Sequence, residues 1–307
     1  MRQKLLLSGV VLLLLLLSIL PFVRSKEKVE LNDSVRAGAE SGNYARLPQG
    51  LTHYELSGPE KGKLVVLVHG FSTPYFIWDP VQKLLITEGY RVLRFDLFGR
   101  GYSDRPDIVY DIDLFRSQIQ DLLNFLHIDG PFDIMGLSMG GPIVASYVAK
   151  NPERVKKVVL LDPFTAKAGI FPLAVPFLGE YLNTVIFLPT LPKGIAGDFV
   201  NPSKVPKGWV EKYEMQMSFY GFGRAILSTL RNLISKDPRP HFEGLAATNK
   251  QVLVFWGDQD HTTPLETGVY VKDLLKSEFV LVKDCGHLPH IEQPEQVLPV
   301  ISSFLSK

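Results

Sequence analysis

Apolar runs alternate with amphipathic stretches along most of the chain after about residue 51. The run LVVLV at 64–68 is apolar at every position, which predicts a strand buried on both faces. Apolar residues at helical spacing predict helices over 111–127 and 139–150. Further strands are predicted at 91–95, 132–135, 157–161, 251–255 and 279–282. This alternation predicts an α/β fold with a mainly parallel, doubly wound sheet that helices cover on both faces.

The alternation lapses in the middle of the chain, where prolines recur. A segment of this length is too long for a simple loop in a compact domain, so residues 163–248 are predicted to form a lid of short helices inserted between two strands. Apolar and aromatic residues are frequent there, among them Phe171, Phe199 and Trp209. Most are expected to pack the insertion onto the body, and together they suggest an apolar substrate cavity.

The N-terminus has a different pattern. Arg2 and Lys4 precede a nearly unbroken apolar stretch over 5–23. This order of charge and apolarity predicts that residues 1–25 are either a cleaved signal peptide or an uncleaved membrane anchor, and the sequence leaves both open. In either case we expect a secreted protein, or a membrane-anchored one that faces an extracytoplasmic or luminal compartment.

Composition and charge narrow the possible classes. Residues 26–48 are polar and predict a tether, which leaves 49–307 as a single folded domain. The chain has 307 residues, 46% of them hydrophobic, so it can bury a large core. Lys and Arg total 33 against 32 Asp and Glu, and this balance argues against a nucleic-acid partner. Cys285 is the only cysteine, so no intrachain disulfide can form.

The most informative motif is G-x-S-x-G at residues 136–140. Glycines two places before and after a serine allow its hydroxyl to lie at the tip of a sharp strand-to-helix turn, because side chains there would collide with the neighbouring strand and helix. A nucleophilic serine also needs a base, and the base needs an acid to orient it. Asp260 and His287 each follow a predicted strand near the C-terminus. With Ser138 they occur in the chain order associated with this turn.

Several motifs together resemble those of α/β-hydrolase fold enzymes, in particular serine esterases and lipases with a lid insertion. They are VHGF at 68–71, DLFGRGYS at 96–103, the serine turn at 136–140, GDQD at 257–260 with Pro264, and GH at 286–287 followed by EQPE at 292–295. The resemblance implies that Ser138 is the nucleophile, that His287 is general base and then general acid, and that Asp260 orients His287. It implies neither a metal nor an organic cofactor.

The resemblance also assigns the oxyanion hole to the backbone N–H groups of Phe71 and Met139. It implies that His69 shapes the loop that carries one of these groups, instead of acting as a second base. Two other carboxylates are alternatives for the acid position. Asp258 lies in the same motif, and Asp162 ends the strand before the insertion.

These residues predict hydrolysis of carboxylic esters through an acyl-enzyme. The apolar insertion and the apolar N-terminus favour a small-molecule or lipid ester as substrate, so a carboxylesterase or a monoacylglycerol-type lipase is expected, with possible membrane association through the N-terminal segment. A serine-dependent hydrolase of carbon–carbon, amide or thioester bonds is an alternative, since fold and triad do not separate these reactions. A ligand-binding protein on the same fold is a further alternative.

Overall fold

The computed structural model of the protein describes residues 16–307, and one sheet dominates that range. Its strands are β1 (Asn43–Leu47), β2 (Gly50–Ser57), β3 (Leu64–Val68), β4 (Arg91–Phe95), β5 (Phe132–Leu137), β6 (Val155–Leu161), β7 (Gln251–Gly257) and β8 (Glu278–Val282). Their spatial order is β1-β2-β4-β3-β5-β6-β7-β8. Strands β3 to β8 are parallel, and β1 and β2 extend the sheet antiparallel beside β4. The prediction of a mainly parallel sheet is confirmed.

Helices cover both faces of the sheet. They are α1 (Asp33–Arg36), α2 (Asp79–Thr87), α3 (Ile112–Phe125), α4 (Gly140–Lys150), α5 (Leu178–Leu182), α6 (Leu188–Gly197), α7 (Trp209–Met217), α8 (Phe222–Thr229), α9 (Arg239–Ala246), α10 (Leu265–Leu275), α11 (Pro289–Glu292) and α12 (Pro294–Ser306). Helices α3, α4 and α10 contribute to one hydrophobic core. Helices α2 and α12 contribute to the other core. The predicted doubly wound arrangement is therefore confirmed.

The central strands supply both cores. In β3, Val65 and Leu67 belong to one core, and Val66 and Val68 belong to the other. All four side chains are fully buried. Successive side chains of a strand point to opposite faces, so a strand covered on both sides must be apolar at every position. This requirement explains the uninterrupted apolar run in the sequence.

Local signals set the bounds of several elements. The helix predicted over 111–127 is α3, and the Asp111 side chain caps it by accepting the N–H of Leu114 at 2.9 Å. Strands β1 and β2 were not predicted as strands. In β2 the two buried residues are Thr52 and His53, so this strand lacks the apolar signal of the central strands.

The segment between β6 and β7 contains helices α5 to α9. Short helices therefore occupy the region that the sequence assigned to an insertion. Several of their apolar side chains pack into the core on one side of the sheet, including Trp209, Phe222 and Ile226. The action of this insertion as a lid stays a prediction.

Residues 26–48 differ from the tether that the sequence predicted, because they pack against the body. The carboxylate of Glu27 accepts the N–H groups of Gly221 and Gly223 at 2.7 and 2.6 Å. Ala45 in β1 is fully buried. Backbone and polar groups make several of these contacts, and such contacts leave no apolar periodicity in the sequence. The folded domain therefore begins well before residue 49.

The predicted signal peptide or anchor covers residues 1–25, and its first 15 residues lie outside the described part of the chain. Residues 16–24 are helical, and Phe22 is largely exposed. Within 16–307, none of the helices has the length and apolarity needed to span a bilayer.

Candidate active site

Ser138 lies at a sharp turn between β5 and α4. Its φ angle is +53°, in the left-handed region that a non-glycine residue rarely adopts. Hydrogen bonds fix the turn on both sides: the N–H of Ser138 donates to the carbonyl of Leu161 at 3.0 Å, and its carbonyl accepts the N–H groups of Gly141 and Phe164, each at 2.9 Å. The surrounding structure therefore holds the strained serine in place.

The two flanking glycines are required by packing. A Cβ atom at Gly136 would lie 2.6 Å from the carbonyl oxygen of Gly140, at the start of helix α4. A Cβ atom at Gly140 would lie 2.3 Å from the carbonyl oxygen of Val68, at the end of strand β3. Both distances are far below van der Waals contact. The reason given for this motif from sequence, collision with the neighbouring strand and helix, matches the geometry.

The structure brings Asp260 and His287 together. Oδ2 of Asp260 lies 2.8 Å from Nδ1 of His287, and both residues are about 95% buried, with 5% of each exposed. The Thr263 hydroxyl also donates to Oδ2 of Asp260 at 2.6 Å, and the N–H groups of Thr262 and Thr263 donate to Oδ1. Both carboxylate oxygens of Asp260 thus have hydrogen-bond donors, which is the environment of an ionised acid.

The electrostatics agree with this pairing. Burial by itself raises the pKa of Asp260, but the charge and hydrogen bond of His287, with the hydrogen bonds of Thr263, lower the pKa to about 2. Burial lowers the pKa of His287, but the charge and hydrogen bond of Asp260 and the charge of Asp198 outweigh burial and raise it. Asp260 therefore stabilises the imidazolium form of His287, as a triad acid must.

The alternative acids have other partners. Oδ1 of Asp162 accepts the N–H of Gly257 at 2.8 Å, and burial together with the charge of Asp260 raises the pKa of Asp162 well above its usual range. Oδ1 of Asp258 accepts the N–H of Cys285 at 3.2 Å. Among these carboxylates, Asp260 is the one hydrogen-bonded to His287 in the described chain.

One group of acidic and imidazole side chains at the site has the spacing of possible metal ligands. Among the described residues, Asp162, Asp260 and His287 have potential ligand atoms that all lie within 4.8 Å of one another. Nδ1 of His287 and Oδ2 of Asp260 face each other in their hydrogen bond. We therefore assign this group to hydrogen bonding.

Ser138 and His287 line the same cavity, which has a volume of about 190 Å³. The loop after β3 and the insertion close it from two sides. The loop passes directly beside the serine, since a Cβ atom at Gly70 would lie 3.7 Å from Oγ of Ser138. The lining residues are Gly70, Phe71, Ser72, Thr73, Ile77, Leu137, Ser138, Leu191, Gly194, Ile195, Asp198, Thr262, His287 and Leu288. The cavity is therefore mainly apolar beside the hydroxyl of Ser138.

The two residues predicted for the oxyanion hole lie near Ser138, one in the loop after β3 and one directly after the serine in the chain. Phe71 lines the cavity. The carbonyl oxygen of Gly70, which shares a peptide group with the N–H of Phe71, lies 2.9 Å from Nδ1 of His69, and this hydrogen bond orients that N–H. Met139 follows the serine and precedes the first turn of α4. In the part of the chain that the structure describes, no backbone hydrogen bond uses the N–H of Phe71 or Met139. Both donors are thus available to an oxyanion.

Two histidines outside the pair have structural roles. His69 is fully buried, and its Nε2 accepts the N–H of Leu97 at 2.9 Å. His290 is also fully buried and hydrogen-bonds to the carbonyl of Ile77 at 2.9 Å. Burial lowers the pKa of each to about 4. These contacts position loops around the cavity, in agreement with the role predicted for His69.

Three residues near the site were not predicted from the sequence to belong to it. Asp198 lines the cavity from the insertion. Thr263 donates to Asp260. Glu292 is fully buried, and its carboxylate accepts the N–H of Gly286 at 2.8 Å, next to His287. Glu292 belongs to a recognised motif, which was a usable signal, whereas Asp198 lies in a segment without any periodic pattern.

Comparison with known proteins gives consistent matches. The sequence profile of the alpha/beta hydrolase family matches residues 65–300. Lipase 3 of Moraxella sp. (strain TA144) is 25% identical over 284 residues, which cover 89% of this chain and 84% of that protein. The 2-hydroxy-6-oxo-6-(2'-aminophenyl)hexa-2,4-dienoic acid hydrolase of Metapseudomonas resinovorans is 26% identical over 256 residues, which cover 80% of this chain and 85% of that protein. A crystal structure of a bromoperoxidase from Bacillus anthracis has a TM-score of 0.74 and 25% identity, with 87% of this chain and 100% of that chain covered.

Proposed function

This chain belongs to the alpha/beta hydrolase family, and we propose that it is a serine hydrolase that cleaves carboxylic esters of apolar or lipid-like substrates. One observation carries the proposal. Ser138 is held with a φ angle of +53° in the cavity that it shares with His287, and Nδ1 of His287 lies 2.8 Å from Asp260. A strained serine, a buried histidine and an ionised acid form the set of groups that activates an alcohol as a nucleophile.

The reaction proceeds in two half-reactions. Oγ of Ser138 attacks the ester carbonyl carbon while His287 takes the hydroxyl proton, and the backbone N–H groups of Phe71 and Met139 stabilise the oxyanion. The C–O bond to the alcohol then breaks, and His287 gives its proton to the departing alkoxide. Water next attacks the acyl-enzyme and gives a proton to His287, which returns it to Oγ of Ser138 as the carboxylic acid leaves.

The substrate class rests on the cavity and on one relative. Leu191, Ile195 and Leu288 line the cavity together with Phe71, so an acyl chain finds apolar surroundings next to the nucleophile. The relative from Moraxella is named a lipase. Both observations support an apolar acyl group, as in substrates of a carboxylesterase or a monoacylglycerol-type lipase.

The test is turnover of a panel of esters by the full-length protein in detergent. The panel holds p-nitrophenyl esters with acyl chains from acetate to palmitate and a monoacylglycerol. We expect hydrolysis of at least one class, with activity and fluorophosphonate labelling both lost in Ser138→Ala. Ser72→Ala is the matched control, because its hydroxyl belongs to the same cavity without being the nucleophile. Absence of turnover on every ester would overturn the ester proposal.

Hydrolysis of a carbon–carbon bond is the second candidate, because the relative from Metapseudomonas is named as the hydrolase of a 2-hydroxy-6-oxo-dienoic acid. Loss of the absorbance of such a dienoic acid, with no turnover of esters, would favour this reaction. Labelling of Ser138 without any turnover would instead favour hydrolysis of another bond, such as an amide or thioester. No labelling would favour a ligand-binding protein on the same fold.

We also propose that residues 1–25 direct the protein to a membrane or through it. The support is the apolar sequence over 5–23 and the exposure of Leu16, Ile19 and Phe22 in the described helical residues. Fractionation of cells expressing the full chain, compared with a chain that lacks 1–25, tests attachment. Sequencing of the mature N-terminus distinguishes a cleaved signal from an anchor. If the full chain keeps residues 1–25 and is as soluble as the chain that lacks them, the proposal is contradicted.

A further inference from the structure

Asp198 contributes a carboxylate from the insertion to the wall of the cavity that holds Ser138 and His287. It directly follows helix α6. Its carbonyl oxygen accepts the N–H of His287 at 2.8 Å. The approach is close, since a Cβ atom at Gly286 would lie 2.4 Å from that carbonyl oxygen. Asp198 is therefore fixed relative to the histidine by its backbone, independently of its side chain.

The carboxylate of Asp198 has an unused acceptor. The Thr262 hydroxyl donates to Oδ1 at 3.0 Å. Within residues 16–307, this is the one hydrogen bond that the Asp198 carboxylate makes, and Oδ2 has no partner there. Burial raises the pKa of Asp198, and the charge of His287 acts in the opposite direction. Oδ2 is thus left to accept a hydrogen bond from a bound molecule in the cavity.

The cavity lining contains no lysine or arginine among the described residues. The nearby guanidinium of Arg100 is directed elsewhere: it donates to the carbonyls of Phe71 and Phe98 and to the hydroxyl of Thr229. A carboxylate on a substrate would therefore meet Asp198 without a cationic partner. Two like charges in a partly desolvated site repel each other strongly.

We propose that Asp198 determines substrate specificity by accepting a hydrogen bond from a hydroxyl group of a neutral ester and by repelling esters that carry a carboxylate. The inference rests on the proposed serine hydrolase function and makes it narrower. It favours neutral, hydroxyl-bearing esters such as monoacylglycerols. It also argues against an acid such as the dienoic acid named for the relative from Metapseudomonas.

The experiment compares two esters of matched length with the full-length protein: p-nitrophenyl valerate, and the mono-p-nitrophenyl ester of glutarate, which carries a carboxylate. The wild-type protein should prefer the neutral ester in kcat/KM. Asp198→Asn should reduce this preference at least about tenfold, mainly by faster reaction of the anionic ester. The same variant should lower kcat/KM for a monoacylglycerol relative to the ethyl ester of the same acid.

Two further variants serve as controls. Asp198→Glu keeps the charge and should keep the preference for the neutral ester. Asp284→Asn removes a carboxylate that is three residues from His287 in sequence but is exposed, and it should leave the preference unchanged. Asp284 has a φ angle of +51°, which asparagine tolerates well, so this control should fold normally.

An unchanged preference in a folded Asp198→Asn protein would overturn the assignment of Asp198, while turnover that depends on Ser138 would still support the proposed function. If the wild-type protein hydrolyses no ester, the proposed function fails, and the assignment is then tested by labelling. Two alkyl fluorophosphonates are compared, one that ends in a methyl group and one that ends in a carboxylate. The methyl-terminated probe should label Ser138 faster in the wild-type protein, and the two labelling rates should converge in Asp198→Asn. Equal wild-type rates would overturn the assignment.

Discussion

Replacement of Asp260 by asparagine tests the assignment of the acid most directly. Oδ2 of Asp260 lies 2.8 Å from Nδ1 of His287, whereas Oδ1 of Asp162 accepts the N–H of Gly257. Asp260→Asn keeps the size of the side chain but removes its negative charge. It also allows the amide to donate to Nδ1, so that His287 carries its proton on the wrong nitrogen. Both changes weaken the base that serves Ser138.

The size of the effect follows from the pKa of Asp260. Burial by itself raises this pKa, but the charge and hydrogen bond of His287, with the hydrogen bonds of Thr263, lower it from 3.8 to about 2, a net stabilisation of the carboxylate on the order of 2 kcal/mol. The charge interaction between the two groups is mutual, so loss of the carboxylate also destabilises the imidazolium. An energy on the order of 2 kcal/mol corresponds to between one and two orders of magnitude in rate. The wrong tautomer adds to this loss, and a total decrease in kcat of about 10⁴ is expected.

The assay measures kcat on the best ester of the panel, with thermal unfolding to show that each variant folds. Asp162→Asn is the matched control, because the amide oxygen can still accept the N–H of Gly257 and the carboxylate of Asp260 remains. This control should retain activity within about tenfold. The reasoning is refuted if Asp260→Asn stays within tenfold of wild type while Asp162→Asn loses several thousandfold, since Asp162 would then be the acid.

Three other measurements follow from the structure. Gly136→Ala should lower the free energy of unfolding by about 1–3 kcal/mol, because the new methyl group would lie 2.6 Å from a backbone carbonyl oxygen. Gly130→Ala is the control and should leave this free energy unchanged, because the space at its Cβ is open. Equal stabilities of the two variants would contradict the packing argument. The acid limb of the kcat/KM profile should lie above pH 6.5, because the protonated ring of His287 cannot act as base. Burial lowers the pKa of His287, but the neighbouring carboxylates outweigh burial and raise it above its usual value. An acid limb below pH 6.5 would contradict the pairing of His287 with Asp260. Glu27→Ala should lower the free energy of unfolding by about 1–2 kcal/mol, because its carboxylate accepts two N–H groups at the start of α8. Glu30→Ala is the control and should leave this free energy unchanged, because Glu30 is exposed. Denaturant titration measures both values, and equal stabilities would contradict the role of Glu27.

The sheet and the serine turn were predictable from sequence because their causes are local or periodic. A strand covered on both faces needs an apolar residue at every position, as at Leu64–Val68. The turn needs glycines at 136 and 140, since any Cβ there collides with helix α4 or strand β3. Such constraints act on neighbouring residues, so they appear as short patterns in the chain.

Sequence alone thus determined the mainly parallel sheet, the place of Ser138 and the order of the candidate groups along the chain. Tertiary structure decided which carboxylate contacts His287, because Asp162 directly follows β6, Asp258 and Asp260 lie within three residues after β7, and the sequence does not show where their oxygens point. It also decided that residues 26–48 pack on the body and that Asp198 faces the cavity. These are contacts between residues far apart in sequence, made by backbone and polar groups, and such contacts impose no periodicity on the segments that form them.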